Sequence, residues 1–214
     1  YYPTIWWDEA IFAETAANLA ETGRYALTVE GPDKLKDFDY RISVGPTLIL
    51  PVALAYRLWG ISVASGRIVA GGFLFSTFFL LYLAARQFFP RGPALLAVLL
   101  VLLTTDILYW GRSVMGDIPA LALFLASLLC TVRALATQSL RLWAGAGLCL
   151  GLAICAKEFY GLAVLPVLIP LLQTARRSWG QLLRQGLALG IGLSLPLGAY
   201  VILKAMFLGG VVPA

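Results

Sequence analysis

The sequence predicts an all-α polytopic membrane protein, and three observations support that fold class. Hydrophobic residues make up 60% of the 214-residue chain, and charged residues only 13%. The mean hydropathy is +0.86, well above that of soluble domains. The apolar residues also fall into long runs separated by single charges or short basic pairs, as transmembrane helices and their loops do.

Residues 1–61 are predicted to form the first outer loop, with amphipathic helices at the membrane surface. In residues 8–21, apolar and small side chains recur at helical spacing, and Gly23 ends the period. Residues 24–45 contain Gly31-Pro32 and mixed charges, and we interpret them as an ordered loop. Run 46–60 is shorter than the roughly 20 residues of a typical span, so a second surface helix is expected there.

Residues 62–214 are predicted to form a membrane domain of about six spans. Its apolar runs lie at 62–85, 93–110, 118–136, 142–156, 159–175 and 185–203. Only Lys157-Glu158 separates two of these runs, and one straight helix through both would be about 51 Å long. We therefore expect a tight hairpin with Lys157 and Glu158 at its outer tip.

Charge placement predicts the orientation of this domain. Residues 1–45 contain eight acidic and four basic side chains, whereas the rest of the chain contains three acidic and twelve basic ones. If 46–60 lies on the surface, alternate loops collect Arg86, Arg91, Arg133, Arg141, Arg176, Arg177 and Arg184. Lys and Arg concentrate in cytoplasmic loops, so the acidic segment is expected on the outer face. That face is the periplasm or cell exterior in a bacterium and the lumen in a eukaryote, and the absence of glycosylation sequons favours a bacterial inner (plasma) membrane.

Composition excludes several classes of function. The chain has no histidine, which excludes Ser-His-Asp triads, Cys-His pairs and His-ligated zinc. The cysteines Cys130, Cys149 and Cys155 lie inside apolar runs and are interpreted as core hydrophobes. The basic residues form no base-stacking platform, so no nucleic acid is expected as a partner. Any catalysis must use carboxylates, Lys, Arg or Tyr.

The candidate catalytic residues are two adjacent carboxylates, Asp8 and Glu9, at the start of the first helix. The helix dipole favours negative charge there, so simple capping is an equal alternative. Asp117 begins the span from residue 118 and has the same alternative. Asp106 is interpreted as a hydrated helix end, although an intramembrane carboxylate is also a functional candidate.

Three cations are candidate ligands for an anionic substrate. Arg112 and Lys157 are expected on the same outer face as the carboxylates, where they would hold the anion while a carboxylate acts as base. Arg67 lies early in its span and either binds a phosphate or extends its head group to the interface.

Short motifs follow one another in a fixed order along nearly the whole chain. They are Asp8-Glu9-Ala10, Ala17-Asn18-Leu19-Ala20, Gly23-Arg24-Tyr25, Gly45-Pro46-Thr47-Leu48, Gly60, Arg67, Arg112, Gly116-Asp117-Ile118-Pro119, Gly151-Leu152-Ala153 and Lys157. The ordered set resembles the GT-C membrane glycosyltransferases, in the branch of the protein O-mannosyltransferases and lipid A aminoarabinose transferases. Ser43-Val44-Gly45-Pro46-Thr47 replaces the Lys-Pro-Pro-like element of the aminoarabinose branch, so the donor or acceptor is expected to differ.

The resemblance implies an enzyme that transfers a sugar, with inversion, from a polyprenyl phosphate to a lipid, glycan or protein acceptor on the outer face. Asp8 matches the position that activates the acceptor, and Glu9 completes the Asp-Glu pair. Asp117 matches an acidic residue that helps to hold a divalent cation in some branches. Asp8 and Asp117 are therefore the expected ligands if Mg²⁺ or Mn²⁺ takes part, and Arg112, Lys157 and Arg67 the expected ligands of the donor phosphate.

Two other classes of function stay open. A non-catalytic membrane subunit with the same fold, packed against partner subunits and membrane lipids, would tolerate loss of Asp8. A transporter is less favoured, because no ionisable residue lies near the centre of a predicted span. The chain lacks an initiator Met and is expected to be an internal part of a longer protein.

Overall fold

The structure, a computed structural model, describes residues 5–28, 35–37, 45–175 and 178–208. The elements in chain order are α1 (Trp7–Thr22), β1 (Ala26–Thr28), β2 (Leu35–Asp37), α2 (Pro46–Trp59), α3 (Val63–Ala85), α4 (Arg91–Leu102), α5 (Thr105–Trp110), α6 (Asp117–Thr137), α7 (Leu140–Ala156), a 3₁₀ helix (Glu158–Ala163), α8 (Val164–Ala175) and α9 (Trp179–Leu208). The predicted all-α fold class is confirmed.

Three helices are long and apolar enough to cross a membrane: Val63–Ala85, Asp117–Thr137 and Trp179–Leu203. Large apolar side chains on the bundle surface point outward, as contact with lipid requires; they include Phe75, Phe79, Leu99, Leu165, Leu187 and Leu195. The protein is therefore an integral membrane protein. The other apolar helices after residue 62 are shorter than a usual span, so the predicted six spans and the predicted outer loop stay predictions.

The predicted first helix is present as α1, and it packs on α2 through the apolar and small side chains that recur at helical spacing in its sequence. Phe12 and Ala16 join Leu48, Ile49 and Val52 in one buried cluster. Gly23 ends α1 in the left-handed region at φ 72°, where its N–H donates to the carbonyl oxygen of Leu19. The cluster holds the middle of α1 against α2, and partly buried Val69 and Phe73 of α3 pack against it.

The ordered loop expected over residues 24–45 contains a two-stranded antiparallel ribbon, which corrects that prediction. β1 pairs with β2 in the register Ala26 to Asp37, and α1 holds β1 in place. Asn18 donates its amide to the carbonyl oxygen of Ala26, and the Glu14 carboxylate accepts from the N–H of Thr28. These contacts join residues distant in sequence, so local composition did not reveal them. The rest of this loop, 29–34 and 38–44, lies outside the described residues.

The run 93–110 was expected to form one span, but the helix breaks between α4 and α5. Thr104 has an extended ψ of 114°, and its hydroxyl donates to the carbonyl oxygen of Val101. Hydroxyl side chains compete in this way with the helical hydrogen-bond ladder. The break turns α5 into a short separate helix that borders the candidate site.

The chain reverses at Lys157, as the expected hairpin requires. Trp143 near the start of α7 and Leu171 near the end of α8 contact the same buried cluster, so the two helices run in opposite directions. α9 then runs parallel to α7. A Cβ atom added to Gly147 would lie 2.1 Å from the carbonyl oxygen of Leu189, and Gly151 lies against Pro196, so small residues permit this close packing.

Candidate active site

Two ion pairs lie at the end of the bundle where α6 begins and α7 ends. One joins Glu9 of α1 to Arg67 near the start of α3, and the other joins Asp117 of α6 to Lys157. The loop between α5 and α6 links them, because Val114 in that loop donates its N–H to Glu9. Four of the predicted site residues are thus gathered at one end of the bundle.

The Glu9 carboxylate is buried, with only 2% of its surface exposed. The Nε atom of Arg67 donates to one carboxylate oxygen at 2.9 Å, and its Nη2 atom donates to the other at 2.7 Å. The N–H of Val114 adds a third bond at 3.1 Å. A buried charge is tolerated when it is paired and hydrogen-bonded in this way. The arrangement fastens α1 to α3 and to the α5–α6 loop.

Tyr56 of α2 lies beside this pair and extends the packed region. Burial raises the pKa of the Tyr56 hydroxyl, and the nearby negative charge of Glu9 raises that pKa further. A Cβ atom on Gly66 would lie 2.8 Å from the same hydroxyl, so α2 and α3 approach closely here. Tyr56 therefore stays neutral at ordinary pH, and its role is to pack against the Glu9–Arg67 pair and the start of α3.

Asp8, one residue before Glu9, lies on the exposed side of α1. In the described part of the chain it makes no hydrogen bond or ion pair, and the residue at the N-cap of α1 is Trp6. The two neighbouring carboxylates therefore differ in kind. Glu9 is buried and both of its carboxylate oxygens accept hydrogen bonds, whereas Asp8 is exposed and has no partner among the described residues.

Asp117 and Lys157 form a more open pair. The Lys157 Nζ atom lies 2.5 Å from a carboxylate oxygen of Asp117, and the side chains are 19% and 50% exposed, respectively. Asp117 is the first residue of α6 and the N-cap is Gly116, so the pairing, rather than a capping bond, accounts for its contact. Part of each charge faces solvent and remains available to a ligand.

The segment before α2 positions Lys157. The N–H of Gly45 donates to the carbonyl oxygen of Ala156 at 3.3 Å, and the Thr47 hydroxyl donates to that of Leu152 at 2.9 Å. A Cβ atom on Gly45 would lie 2.0 Å from the carbonyl oxygen of Cys155, so only glycine fits without displacement. The Gly45-Pro46-Thr47 motif thus docks on the end of α7, directly beside Lys157.

A cavity of about 450 Å³ adjoins Asp117. Its walls come from residues near the start of α1, α5 and the start of α6: Trp6, Asp106, Ile107, Trp110, Met115, Asp117 and Ile118. The Trp6 and Trp110 rings meet edge to face, with centroids 5.5 Å apart and an angle of 79°. Asp106, interpreted from the sequence as a hydrated helix end and also as a functional candidate, is exposed in the first turn of α5 and lines this cavity. The break after Thr104 explains its position.

The two predicted phosphate-binding arginines have other contacts. Arg67 is bonded to Glu9, and Arg112 donates from its Nε atom to the carbonyl oxygen of Leu108 at 2.9 Å. That bond satisfies a carbonyl group in the last turn of α5, although the Arg112 side chain remains exposed. Lys157 is the predicted phosphate ligand that directly contacts a residue of the cavity wall.

Ligands for a divalent cation are few among the residues that the structure describes. These residues contain no group of three carboxylate or thiol side chains that could hold one. The Lys157 ammonium group also contacts one of the two carboxylate oxygens of Asp117. Asp8 is absent from the wall of the cavity that Asp117 lines. The Mg²⁺ or Mn²⁺ site of Asp8 and Asp117 stays a prediction that a chelator tests.

Comparison with known proteins identifies the family of this chain and solved structures that share its fold. The model of the dolichyl-phosphate-mannose-protein mannosyltransferase family matches residues 44–203. No curated protein matches the chain. Two crystal structures of ArnT from Cupriavidus metallidurans are similar, each with 19% sequence identity over 94% of this chain. The TM-score is 0.72 for the apo state, where the match covers 38% of ArnT, and 0.73 for the state bound to undecaprenyl phosphate, where it covers 37%.

Proposed function

Because the chain belongs to the dolichyl-phosphate-mannose-protein mannosyltransferase family, we propose that the protein is a membrane glycosyltransferase whose donor is a polyprenyl-phosphate-linked sugar. The observation that carries the proposal is the open Asp117–Lys157 pair beside a cavity, at the same end of the bundle as the exposed Asp8. ArnT, which shares the fold, has been crystallised with undecaprenyl phosphate, itself a polyprenyl phosphate.

Lys157 is the proposed ligand of the donor phosphate. Its ammonium group carries three N–H donors, and the contact with Asp117 leaves others for phosphate oxygens. Negative charge develops on the phosphate as the glycosidic bond breaks, and a partly buried cation stabilises that charge more than an exposed one does. Asp117 orients the ammonium group before the donor arrives.

Asp8 is the proposed general base. An acceptor hydroxyl or amine attacks the anomeric carbon from the side opposite the phosphate, so the new bond forms with inversion. The bond from the anomeric carbon to the phosphate oxygen breaks, and the acceptor proton passes to the Asp8 carboxylate. An exposed carboxylate without a partner in the described part of the chain suits this role.

Glu9 and Arg67 are proposed as positioning residues. Both oxygens of Glu9 already accept bonds from Arg67, so neither is free to take the acceptor proton. Likewise, Arg67 already donates through Nε and Nη2 to Glu9, and turning the guanidinium away from that contact would leave a buried carboxylate unpaired. Their contribution is to hold α1, and with it Asp8, against the start of α3.

The site is proposed to face outward from a bacterial inner membrane. The basis is the charge asymmetry of the sequence, with the acidic residues 1–45 at one side and the basic loops at the other. Cysteine-labelling of an exposed residue of α1, such as Glu21, tests the orientation with a reagent that does not cross the membrane. Labelling only after the membrane is opened would contradict it.

The deciding experiment measures single-turnover transfer by the complete protein in lipid nanodiscs, from a panel of undecaprenyl phosphate sugars. Asp8→Asn is expected to lower the transfer rate by about 10²- to 10⁴-fold, because the amide cannot accept the proton. Binding of bare undecaprenyl phosphate should not change. Glu21→Gln, an equally exposed carboxylate of the same helix, is the matched control and should transfer at the wild-type rate.

Two results would contradict parts of the proposal. Full transfer by Asp8→Asn would remove Asp8 from the chemistry. No binding of undecaprenyl phosphate and no transfer by folded wild type would favour the non-catalytic subunit. A chelator arm accompanies each measurement, and loss of transfer that Mg²⁺ or Mn²⁺ restores would support a cation held by Asp8 and Asp117.

A further inference from the structure

The cavity beside Asp117 combines aromatic and acidic side chains. Tryptophan rings form two of its walls at nearly a right angle, and two carboxylates, Asp106 and Asp117, reach the same space. Its volume of about 450 Å³ falls within the range of small-molecule sites, about 300–1,000 Å³. Mostly apolar walls with a few polar groups are also typical of such sites.

We infer that this cavity receives the sugar of the donor, and that Asp106 and Trp110 select a sugar without an acidic group. The inference rests on the proposed function, which supplies the donor but does not say where its sugar lies or which sugar is accepted. Asp106 and Trp110 belong to α5, the short helix that the break after Thr104 creates.

The Trp6 and Trp110 rings, which meet at nearly a right angle and form what we call the tryptophan corner, suit a pyranose ring. The face of a pyranose that carries axial C–H bonds is apolar and slightly positive, and the face of an indole ring is negative. One ring can therefore support the sugar from below while the other borders its edge. Ile107, Met115 and Ile118 add apolar side chains to the lining of the same cavity.

The two carboxylates suit the polar rim of the sugar. An ionised carboxylate only accepts hydrogen bonds, so it binds hydroxyl or ammonium groups and repels another carboxylate. Lys157 already balances the charge of Asp117, whereas Asp106 has no ion-pair or hydrogen-bond partner among the residues that the structure describes. Asp106 thus leaves a net negative charge in the cavity, which disfavours uronic acids and favours neutral or amino sugars.

The position of the cavity also agrees with the proposed reaction. Asp117 lines the cavity and contacts Lys157, so a phosphate on Lys157 would place the anomeric end of the sugar at the mouth of the cavity. Trp6, which also lines the cavity, precedes the proposed base Asp8 by two residues. Sugar, leaving phosphate and base would then lie in adjacent positions.

The test measures kcat/KM for the complete protein in nanodiscs, with undecaprenyl phosphate carrying mannose, glucose, 4-amino-4-deoxyarabinose or glucuronate. Wild type should transfer one or more of the first three and discriminate against glucuronate. Asp106→Asn should lower kcat/KM for the preferred sugar about 10- to 100-fold, as loss of a hydrogen bond to a charged group does. It should also reduce the discrimination against glucuronate at least tenfold.

Trp110→Leu tests the aromatic wall independently and should raise KM for all accepted sugars. Trp179→Leu, an exposed tryptophan at the start of α9, is the matched control and should leave KM unchanged. Bare undecaprenyl phosphate should bind equally well to Asp106→Asn, Trp110→Leu and wild type, because the cavity contacts only the sugar. Weaker binding in either variant would overturn the assignment of the cavity to the sugar.

The remaining outcomes separate this inference from the proposed function. If both cavity variants transfer at the wild-type rate with unchanged sugar preference, the inference is overturned and the proposed function stands. If wild type prefers glucuronate, the charge argument is overturned alone. If wild type neither binds undecaprenyl phosphate nor transfers any sugar, the proposed function fails and the inference fails with it.

Discussion

The two ion pairs at the site end of the bundle have the same chemistry but different surroundings. In the Glu9–Arg67 pair the side chains are 3% and 12% exposed, and every carboxylate oxygen accepts a bond. In the Asp117–Lys157 pair the exposures are 50% and 19%, and a single contact joins the partners. A buried charge that loses its partner is costly, whereas an exposed one is solvated again. Exposure, rather than residue type, therefore separates the buried, supporting pair from the open pair that we propose binds the donor phosphate.

The largest expected effect comes from breaking the buried pair. Arg67→Met should lower the free energy of unfolding by about 3–5 kcal/mol, because Glu9 would remain buried and unpaired. Thermal unfolding in detergent measures the loss. Arg91→Met at the exposed start of α4 is the control and should have little effect. The double variant Glu9→Gln, Arg67→Met should recover part of the lost unfolding free energy, because the buried side chain is then uncharged. Unchanged stability in Arg67→Met would mean that the buried pair supports the fold no more than the open pair does.

Breaking the open pair should affect activity and leave stability nearly unchanged. Lys157→Met is expected to lower transfer about 10²- to 10³-fold, by analogy with removal of one group that stabilises transition-state charge. Its unfolding free energy should stay within about 1 kcal/mol of wild type. Transfer and thermal unfolding are measured on the same preparation. Lys157→Arg keeps the positive charge and should retain part of the transfer activity. A large loss of stability in Lys157→Met would show that this pair also supports the fold.

A smaller effect is expected where the chain docks beside Lys157. Gly45→Ala forces a methyl group toward the Cys155 carbonyl group, and such overpacking costs about 1–3 kcal/mol. The displaced end of α7 should also move Lys157, so binding of undecaprenyl phosphate should weaken together with stability. Gly92→Ala in α4 is the control, since nothing lies within 4 Å of an added Cβ atom there. Equal behaviour of the two variants would show that this docking does not position Lys157.

The smallest effect sharpens the same comparison. Asp117→Asn should change the unfolding free energy by less than about 1 kcal/mol, because the half-exposed carboxylate contributes little to stability. The shift of the thermal midpoint relative to Glu21→Gln measures it. A destabilisation as large as that of Arg67→Met would mean that exposure does not distinguish the two pairs.

Much of the fold and part of the site followed from local patterns. Apolar run lengths predicted α3, α6 and α9, and the period of residues 8–21 with Gly23 predicted α1 to within one residue at each end. The ordered motifs indicated the family that the match over 44–203 confirms. Alternation of the spans predicted that Asp117 and Lys157 come to the same end of the bundle, where the structure places both.

Other features depended on contacts between distant parts of the chain. Glu9 and Asp8 are neighbours in the same helix, and no local pattern shows that Glu9 faces Arg67, 58 positions away, while Asp8 faces outward. The Trp6–Trp110 corner likewise joins α1 to α5. The sequence did not show that Asp106 lines the cavity, because this position depends on the break after Thr104 and on the direction of α5.

By itself the sequence determined the membrane character, the order of the helices and the inventory of charged groups, because burial in lipid acts on each apolar run separately. Only the tertiary structure decided which charges are bonded to one another and which face a cavity. Pairing of charges is a property of three-dimensional distance and local dielectric, and both arise only when α1, α3, α5, α6 and α7 meet at one end of the bundle.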